Sequence, residues 1–199
     1  MAQDAPRPRH WDAAYAARAP DQQSWFEARP TVSLELLERH GDPTLPLVDV
    51  GGGASSLARA LVADGWRDVT VLDVAAPLGS DGDDVPGIRF VQADVTRWRP
   101  ERRYGAWHDR AAFHFLVDEA DRAAYVAAAR AALVPGGIVV VGTFAEDGPT
   151  RCSGLPVARF DAGELVAALG AAELLEARRD VHVTPAGHEQ PFTWVVCRL

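Results

Sequence analysis

The run Leu47-Val48-Asp49-Val50-Gly51-Gly52-Gly53-Ala54-Ser55 constrains this chain more than any other segment. A short apolar stretch, Leu45 to Val50, leads into three consecutive glycines, and a helix-forming stretch follows from Ser55 to Asp64, where Gly65 stops it. Glycine takes positive φ without a Cβ penalty and lets a ligand approach the main chain. A helix that starts there offers unpaired N–H groups in its first turn. A strand, a glycine turn and a helix in this order predict a unit of a parallel sheet, in which each helix carries the chain back over one face.

The rest of the chain repeats that alternation. Val69 to Leu72 reads as a strand ending at Asp73, Ile88 to Val91 as one ending near Asp94, and Tyr104 to Trp107 as one ending at His108-Asp109. Pro135-Gly136-Gly137 turns into a fully apolar strand, Ile138 to Val141, and two last strand-like runs lie around Leu174 to Arg178 and Phe192 to Cys197. Helices are expected from His10 to the break at Pro20-Asp21, from Pro30 to Arg39, from Asp118 to Leu133 and from Asp161 to Leu169. Strands that are apolar on both faces call for a mostly parallel sheet covered on two sides, a doubly wound α/β domain. We expect one domain over 1–199, with an N-terminal helical cover (1–40) and a core (41–199). The acidic stretch 79–87, with Asp81, Asp83 and Asp84, reads as a solvated loop.

Composition removes several function classes. The net charge is −8, which disfavours a nucleic-acid backbone as partner, since phosphates demand a basic face. All 20 basic residues are arginine, so a Walker A lysine, a Schiff-base lysine and a lysine general base are excluded. No apolar run approaches the roughly 20 residues that span a bilayer, and Met1 to Arg7 holds no apolar leader region. Cys152 and Cys197 lie far apart, the histidines show no paired ligand spacing, and no metal is expected. A reduced, cytoplasmic setting follows as the expectation.

Asp73 stands at about the 20-residue spacing at which an acid grips ribose hydroxyls, and Asp94 would reach the same crevice at the carboxyl edge of the sheet. A nucleoside-containing ligand is therefore expected. The dinucleotide pattern G-x-G-x-x-G needs a glycine at 56, where this chain has Ser56. The pattern acid-x-G-x-G-x-G matches Asp49, Gly51 and Gly53 and departs only at Ser55. On these residues, and on the turn before the fifth strand, the chain resembles the class I S-adenosylmethionine-dependent methyltransferases over essentially its whole length.

That resemblance implies a Rossmann-like, seven-stranded sheet whose last strand is antiparallel, with S-adenosyl-L-methionine as cofactor. It implies that Asp49, Gly51, Gly53 and Ser55 pass along the methionine part and that Asp73, with Val74 beside it, takes the ribose hydroxyls. Asp94 and Val95 would meet the adenine amine and ring. His10-Trp11-Asp12 with Tyr15 and Trp25, together with Trp107-His108-Asp109-Arg110, also resembles a bacterial group of small methyltransferases. More distantly, the latter run is similar to the W-D-K-G-T run of the elongation-factor lysine methyltransferases.

Four polar residues are placed at the methyl-transfer site as candidate catalytic groups: His108, Asp109 and Arg110 at the end of the fourth strand, and His114 just beyond. A histidine near neutral pKa can take a proton from a thiol, phenol or acid, whereas Asp109-Arg110 can equally be an internal ion pair. Trp25 and Arg151 are expected on the acceptor side, Arg151 by a forked contact to an acidic group, and Tyr15 is expected to touch the cofactor from an aromatic lid over it with Trp11, Trp25, Phe26 and Trp107. The expected activity is methyl transfer to a small molecule, since no insertion is long enough for a substrate domain. A protein lysine methyltransferase, an NAD-dependent oxidoreductase and a binding module without turnover stand as alternatives.

Overall fold

The structure, a computed structural model, describes residues 7–17, 19–53, 55–75 and 85–199. Most of the expected acidic loop, residues 79–84, lies outside them, as do residues 1–6. Strands β1 (Leu47–Val50), β2 (Val69–Asp73), β3 (Ile88–Gln92), β4 (Tyr104–Arg110) and β5 (Leu133–Phe144) pair in parallel, and the sheet is completed by β8 (Glu173–Val183) and β9 (Glu189–Arg198). The order is β3-β2-β1-β4-β5-β9-β8, with β9 antiparallel to both of its neighbours. This is the seven-stranded, mostly parallel sheet with an antiparallel last strand that the resemblance implies. The order reverses between β1 and β4, so a crevice opens at their carboxyl ends, where ligands of open α/β sheets sit.

Both faces are covered. On one face α2 (Thr31–His40) and α3 (Leu57–Ala63) bury Leu36, Leu37, Leu57 and Leu61 against Ala106, Val140 and Trp194. On the other, α4 (Glu119–Ala132) and α5 (Ala162–Leu169) bury Tyr125, Ala129, Leu165 and Leu169 against Val48, Trp107, Val139 and Val195. Each fully buried Leu or aromatic contributes about 1.5–3 kcal/mol of apolar transfer, which is what holds two helical layers on one sheet. Helix α5 begins with a capping box, Asp161 and Glu164 each accepting the other's backbone N–H, and ends at Gly170 in the left-handed region. Helix α1 (Arg7–Ala16) and a 3₁₀ turn (Pro20–Gln22) precede α2.

Two expectations change in detail, and one hairpin is added. The fourth strand does not stop at Trp107 but keeps its pleat through Arg110, because β1 and β5 both pair with it as far as Asp109 or beyond. The last two strands are 11 and 10 residues long and make a broad antiparallel ribbon. The Arg151-Cys152-Ser153-Gly154 segment is a tight hairpin, β6 (Arg151–Cys152) and β7 (Leu155–Pro156), with Ser153 and Gly154 at φ 48° and 78°. Both turn residues at positive φ match the hand of a two-residue hairpin.

Candidate active site

The crevice over the glycine turn opens into a cleft whose space, counted together with the solvent at its mouth, is about 1280 Å³. Its floor is the turn itself. Gly51 and Gly53 sit at φ 69° and 35°, and the Gly51 N–H is tied to the Leu72 carbonyl at 2.7 Å. A Cβ at Gly51 would come within 2.8 Å of the Ala112 Cβ, and one at Gly53 would strike the Tyr15 hydroxyl. Ser55 closes the turn, its N–H donating to the Gly52 carbonyl at 2.6 Å and its hydroxyl accepting the Leu57 N–H at 3.1 Å. That is why the helix starts at Leu57, two residues later than the sequence suggests.

The two acids at the strand ends reach the cleft as expected. Asp73 accepts the Ala75 N–H on Oδ1 at 2.8 Å and the Tyr15 hydroxyl on Oδ2 at 3.2 Å. Burial, with Asp49 nearby, raises the Asp73 pKa against the opposing pull of these hydrogen bonds. The same burial and the Asp73 charge push the Tyr15 phenol well above its ordinary value, so it stays a donor. Asp94 accepts both the N–H and the hydroxyl of Thr96, which fixes its carboxylate at the rim. Val74 and Val95 add the apolar surface between these acids.

Strand alternation divides the His108-Asp109-Arg110 run between the two faces of β4. His108 and Arg110 face the cleft, and Asp109 faces the opposite core. Asp109 is 0% exposed and accepts the Ala112 and Phe113 N–H groups and the Tyr125 hydroxyl, at 2.8, 3.2 and 2.8 Å. Tyr125 in turn accepts the Trp107 indole N–H at 2.7 Å. Asp109 is thus a structural anchor for the turn after β4, not a catalytic group, and it makes no ion pair with Arg110.

Arg110 pairs instead across the cleft wall. Its guanidinium lies 3.2 Å from Glu27, donates to the Trp25 carbonyl at 2.9 Å and sits 5.1 Å over the Phe192 ring. Burial pulls the Arg110 pKa down, with Glu27 opposing. Burial works to raise Glu27, but the hydrogen bond to His182 and the charge of Arg110 outweigh it, so Glu27 is held below the ordinary range and ionised. His182 also meets the Ser24 carbonyl at 2.8 Å, which ties β8 to the segment ahead of α2.

His114 does not reach the cleft. It is 0% exposed between Phe115 and Phe144, with neither ring nitrogen hydrogen-bonded among the described residues. Burial, assisted by Arg110, drops its pKa to about 3, which leaves it neutral and without a substrate to act on. Arg151 does not face the cleft either: it is exposed and donates to the Gly154 carbonyl within its own hairpin, while its neighbour Cys152 lines the cleft. Gly53 shapes the turn beneath Tyr15 rather than the cleft wall.

Several cleft residues carry no local signal in the sequence. Ser33 on α2, Glu27 on the segment before it and Phe115 on the turn after β4 all line it. Ser33 meets His108 from 75 positions away, and Ser56 donates to the Glu27 carbonyl at 2.8 Å, pinning that segment to the start of α3. Trp11, Tyr15 and Trp25 close the top as a cluster of edge-on and tilted rings whose centroids are 5.9 to 6.2 Å apart. Trp107, expected in that lid, is fully buried in the core on the other face instead.

This sheet order, with its crevice and antiparallel β9, is the Rossmann-like fold of the S-adenosylmethionine-dependent methyltransferases. Among solved structures, a methyltransferase of that kind from Anabaena variabilis matches at TM-score 0.75 and 16% identity, over 98% of this chain and 96% of that one. The 1,6-didemethyltoxoflavin-N1-methyltransferase of Burkholderia thailandensis, with 1,6-didemethyltoxoflavin and S-adenosylhomocysteine bound, matches at 0.73 and 22%, over 97% and 87%. A glycopeptide N-methyltransferase in complex with sinefungin matches at 0.62 and 15%, over 92% and 99%. No family model and no curated protein matches the chain.

Proposed function

We propose that this protein is an S-adenosylmethionine-dependent methyltransferase acting on a small-molecule acceptor. One observation carries the reading. The half-buried carboxylate of Asp73 stands at the carboxyl end of β2, held by Ala75 through one oxygen and accepting a hydroxyl on the other, beside a glycine turn whose Gly51 and Gly52 line the cleft. That is the donor–acceptor complement of a ribose, next to a main chain that a methionine part can approach. The second oxygen of Asp49, buried and without a hydrogen-bond partner among the described residues, adds an acceptor at the same turn. Asp94, Val74 and Val95 offer a polar edge and an apolar face for a base.

When bound, S-adenosylmethionine supplies a methyl group on a sulfonium, already activated for in-line displacement. The chain's task is then to position the acceptor and keep water out. Trp11, Trp25, Phe26 and Phe115 give the acceptor side flat apolar walls, and Arg110 with Glu27 gives it one polar edge. The bound partners of the solved structures support the cofactor, and the aromatic lining of the cleft suits a small, flat acceptor. Two free cysteines fit a reducing, cytoplasmic setting in a bacterial cell. Among the described residues no helix is long and apolar enough to cross a membrane.

The test is a screen of acceptors with cofactor labelled in its methyl group. Label should pass to low-molecular-weight acceptors of flat, apolar shape. Transfer only to lysine-bearing peptides or proteins would replace the small-molecule reading.

A further inference from the structure

His108 is held at both ring nitrogens. Nδ1 lies 2.7 Å from Asp49 Oδ1 and Nε2 lies 2.9 Å from the Ser33 hydroxyl. The three residues are 2%, 2% and 1% exposed for His108, Asp49 and Ser33, and all three line the cleft. The register makes the arrangement rigid, since Asp49 and His108 are direct partners on β1 and β4 while α2 lowers Ser33 onto the far side of the ring.

Two features of this trio go beyond packing. A serine hydroxyl can donate to a neutral Nε2 or accept from a protonated one by turning about a single bond, so both protonation states of His108 fit the same heavy-atom positions. And the other oxygen of Asp49, buried, has no hydrogen-bond partner among the described residues, which leaves acceptor capacity to spare beside the ring. Two acids, a strand neighbour and an aromatic ring stand around it. Glu27, ahead of α2, and Asp109, on the opposite face of β4, both sense the His108 charge. Val140 of β5 is its strand neighbour, and the Trp194 ring of β9 lies 6.2 Å away, centroid to centroid.

We propose that Ser33, His108 and Asp49 form a proton relay at the floor of the cleft, which takes up the proton an acceptor loses as it is methylated. The inference rests on the methyltransferase reading and deepens it. The attacking heteroatom of the acceptor gains the methyl carbon and gives up its hydrogen, while the electron pair of the broken S–C bond stays on sulfur. The released proton goes to Ser33 Oγ as the serine's own proton moves to His108 Nε2. The product state holds an imidazolium against the Asp49 carboxylate, and the proton later returns to solvent by the reverse path. Ser33 Oγ is the end of the relay that would receive the acceptor's proton, and His108 and Asp49 are positioning and proton-holding residues behind it. A relay is useful only to an acceptor that has a proton to lose at working pH. Together with the aromatic walls, it assigns the acceptor as a flat molecule with a weakly acidic N–H or O–H, rather than a thiolate that arrives already ionised.

The first test needs neither cofactor nor acceptor. In the full chain labelled with ¹⁵N-histidine, His108 should titrate as a single site, and its midpoint should move in Ser33→Ala and fall in Asp49→Asn. A His108 that stays in one protonation state from about pH 5 to 9, the range a histidine switch must span, overturns the relay without any variant. The second test uses an acceptor returned by the labelled-methyl screen. Ser33→Ala and His108→Gln should lose roughly 100-fold or more in kcat, as loss of a proton-transfer group does. They should also flatten its pH profile, with S-adenosylhomocysteine affinity within a few-fold of wild type. Lower melting temperatures with an unchanged pH profile would show that the trio only anchors α2. Should the wild-type protein bind no S-adenosylhomocysteine, the parent reading fails instead, whatever the histidine does.

Discussion

Replacing Asp109 with alanine is expected to destabilise the protein by about 3–5 kcal/mol, the largest effect of any single change around the site. The substitution strips the acceptor from the N–H groups of Ala112 and Phe113 and from the Tyr125 hydroxyl, the last two fully buried. Each buried donor left unpaired costs about 1–3 kcal/mol, and the network through Tyr125 to Trp107 would loosen with it. A denaturant melt of Asp109→Ala beside the wild type measures this. A loss below about 1 kcal/mol, the scale of an ordinary surface change, would show that the carboxylate is not the anchor of the turn.

The same residue gives a pH signature. Burial raises the Asp109 pKa to about 6, whereas an unfolded chain ionises its aspartates near 4. Between those values the folded protein holds more protons, so Asp109 makes stability fall as pH rises through that window. His114 acts in the opposite sense: burial holds it near 3 against about 6.5 when unfolded, so its contribution is full above about 6.5 and is lost as pH falls. The two partly offset each other in the wild type. Asp109→Asn should leave stability rising with pH from about 4 to 6, and His114→Leu should leave it falling. Parallel pH profiles for wild type and both variants would contradict the assignment.

Asp73→Ala should weaken cofactor binding by about 1–3 kcal/mol, or roughly 5- to 150-fold, by leaving two ribose hydroxyls without their acceptor. The stability loss should be smaller than that of Asp109→Ala, because Asp73 is only partly buried and gives up two hydrogen bonds, to Ala75 and Tyr15, rather than three. Binding should also tighten with rising pH through the raised Asp73 pKa, since a hydroxyl pair favours the ionised carboxylate that burial disfavours. Titration calorimetry with S-adenosylhomocysteine across pH reads both effects. Unchanged affinity in Asp73→Ala would remove the ribose role.

What the sequence disclosed about this site follows from how local each feature is. Asp73 and Asp94 were legible because a strand end fixes position along the chain and in space together. The turn at Gly51 to Gly53 was legible because only glycine holds such φ values cheaply. Asp109 was misplaced for a simple reason. Ending the fourth strand at Trp107 put three consecutive residues into one loop, whereas two more pleats send Asp109 to the opposite face from His108 and Arg110. The period of two could have separated them had the strand been extended. Ser33 and Glu27 had no such route. Ser33 sits on a helix whose apolar face was the only visible pattern, and it meets His108 through the tertiary arrangement alone. His114 was drawn in by its chemistry, but a 3₁₀ turn behind β4 folds it into the core, where desolvation removes its charge.

The central claim is that the cleft over the glycine turn binds an adenosyl sulfonium cofactor. Titrating the full chain in parallel with S-adenosylhomocysteine, S-adenosylmethionine and NAD tests it most directly. The account expects saturable one-site binding of both adenosyl ligands and none of NAD. Tight binding of NAD with no uptake of either adenosyl ligand would contradict it.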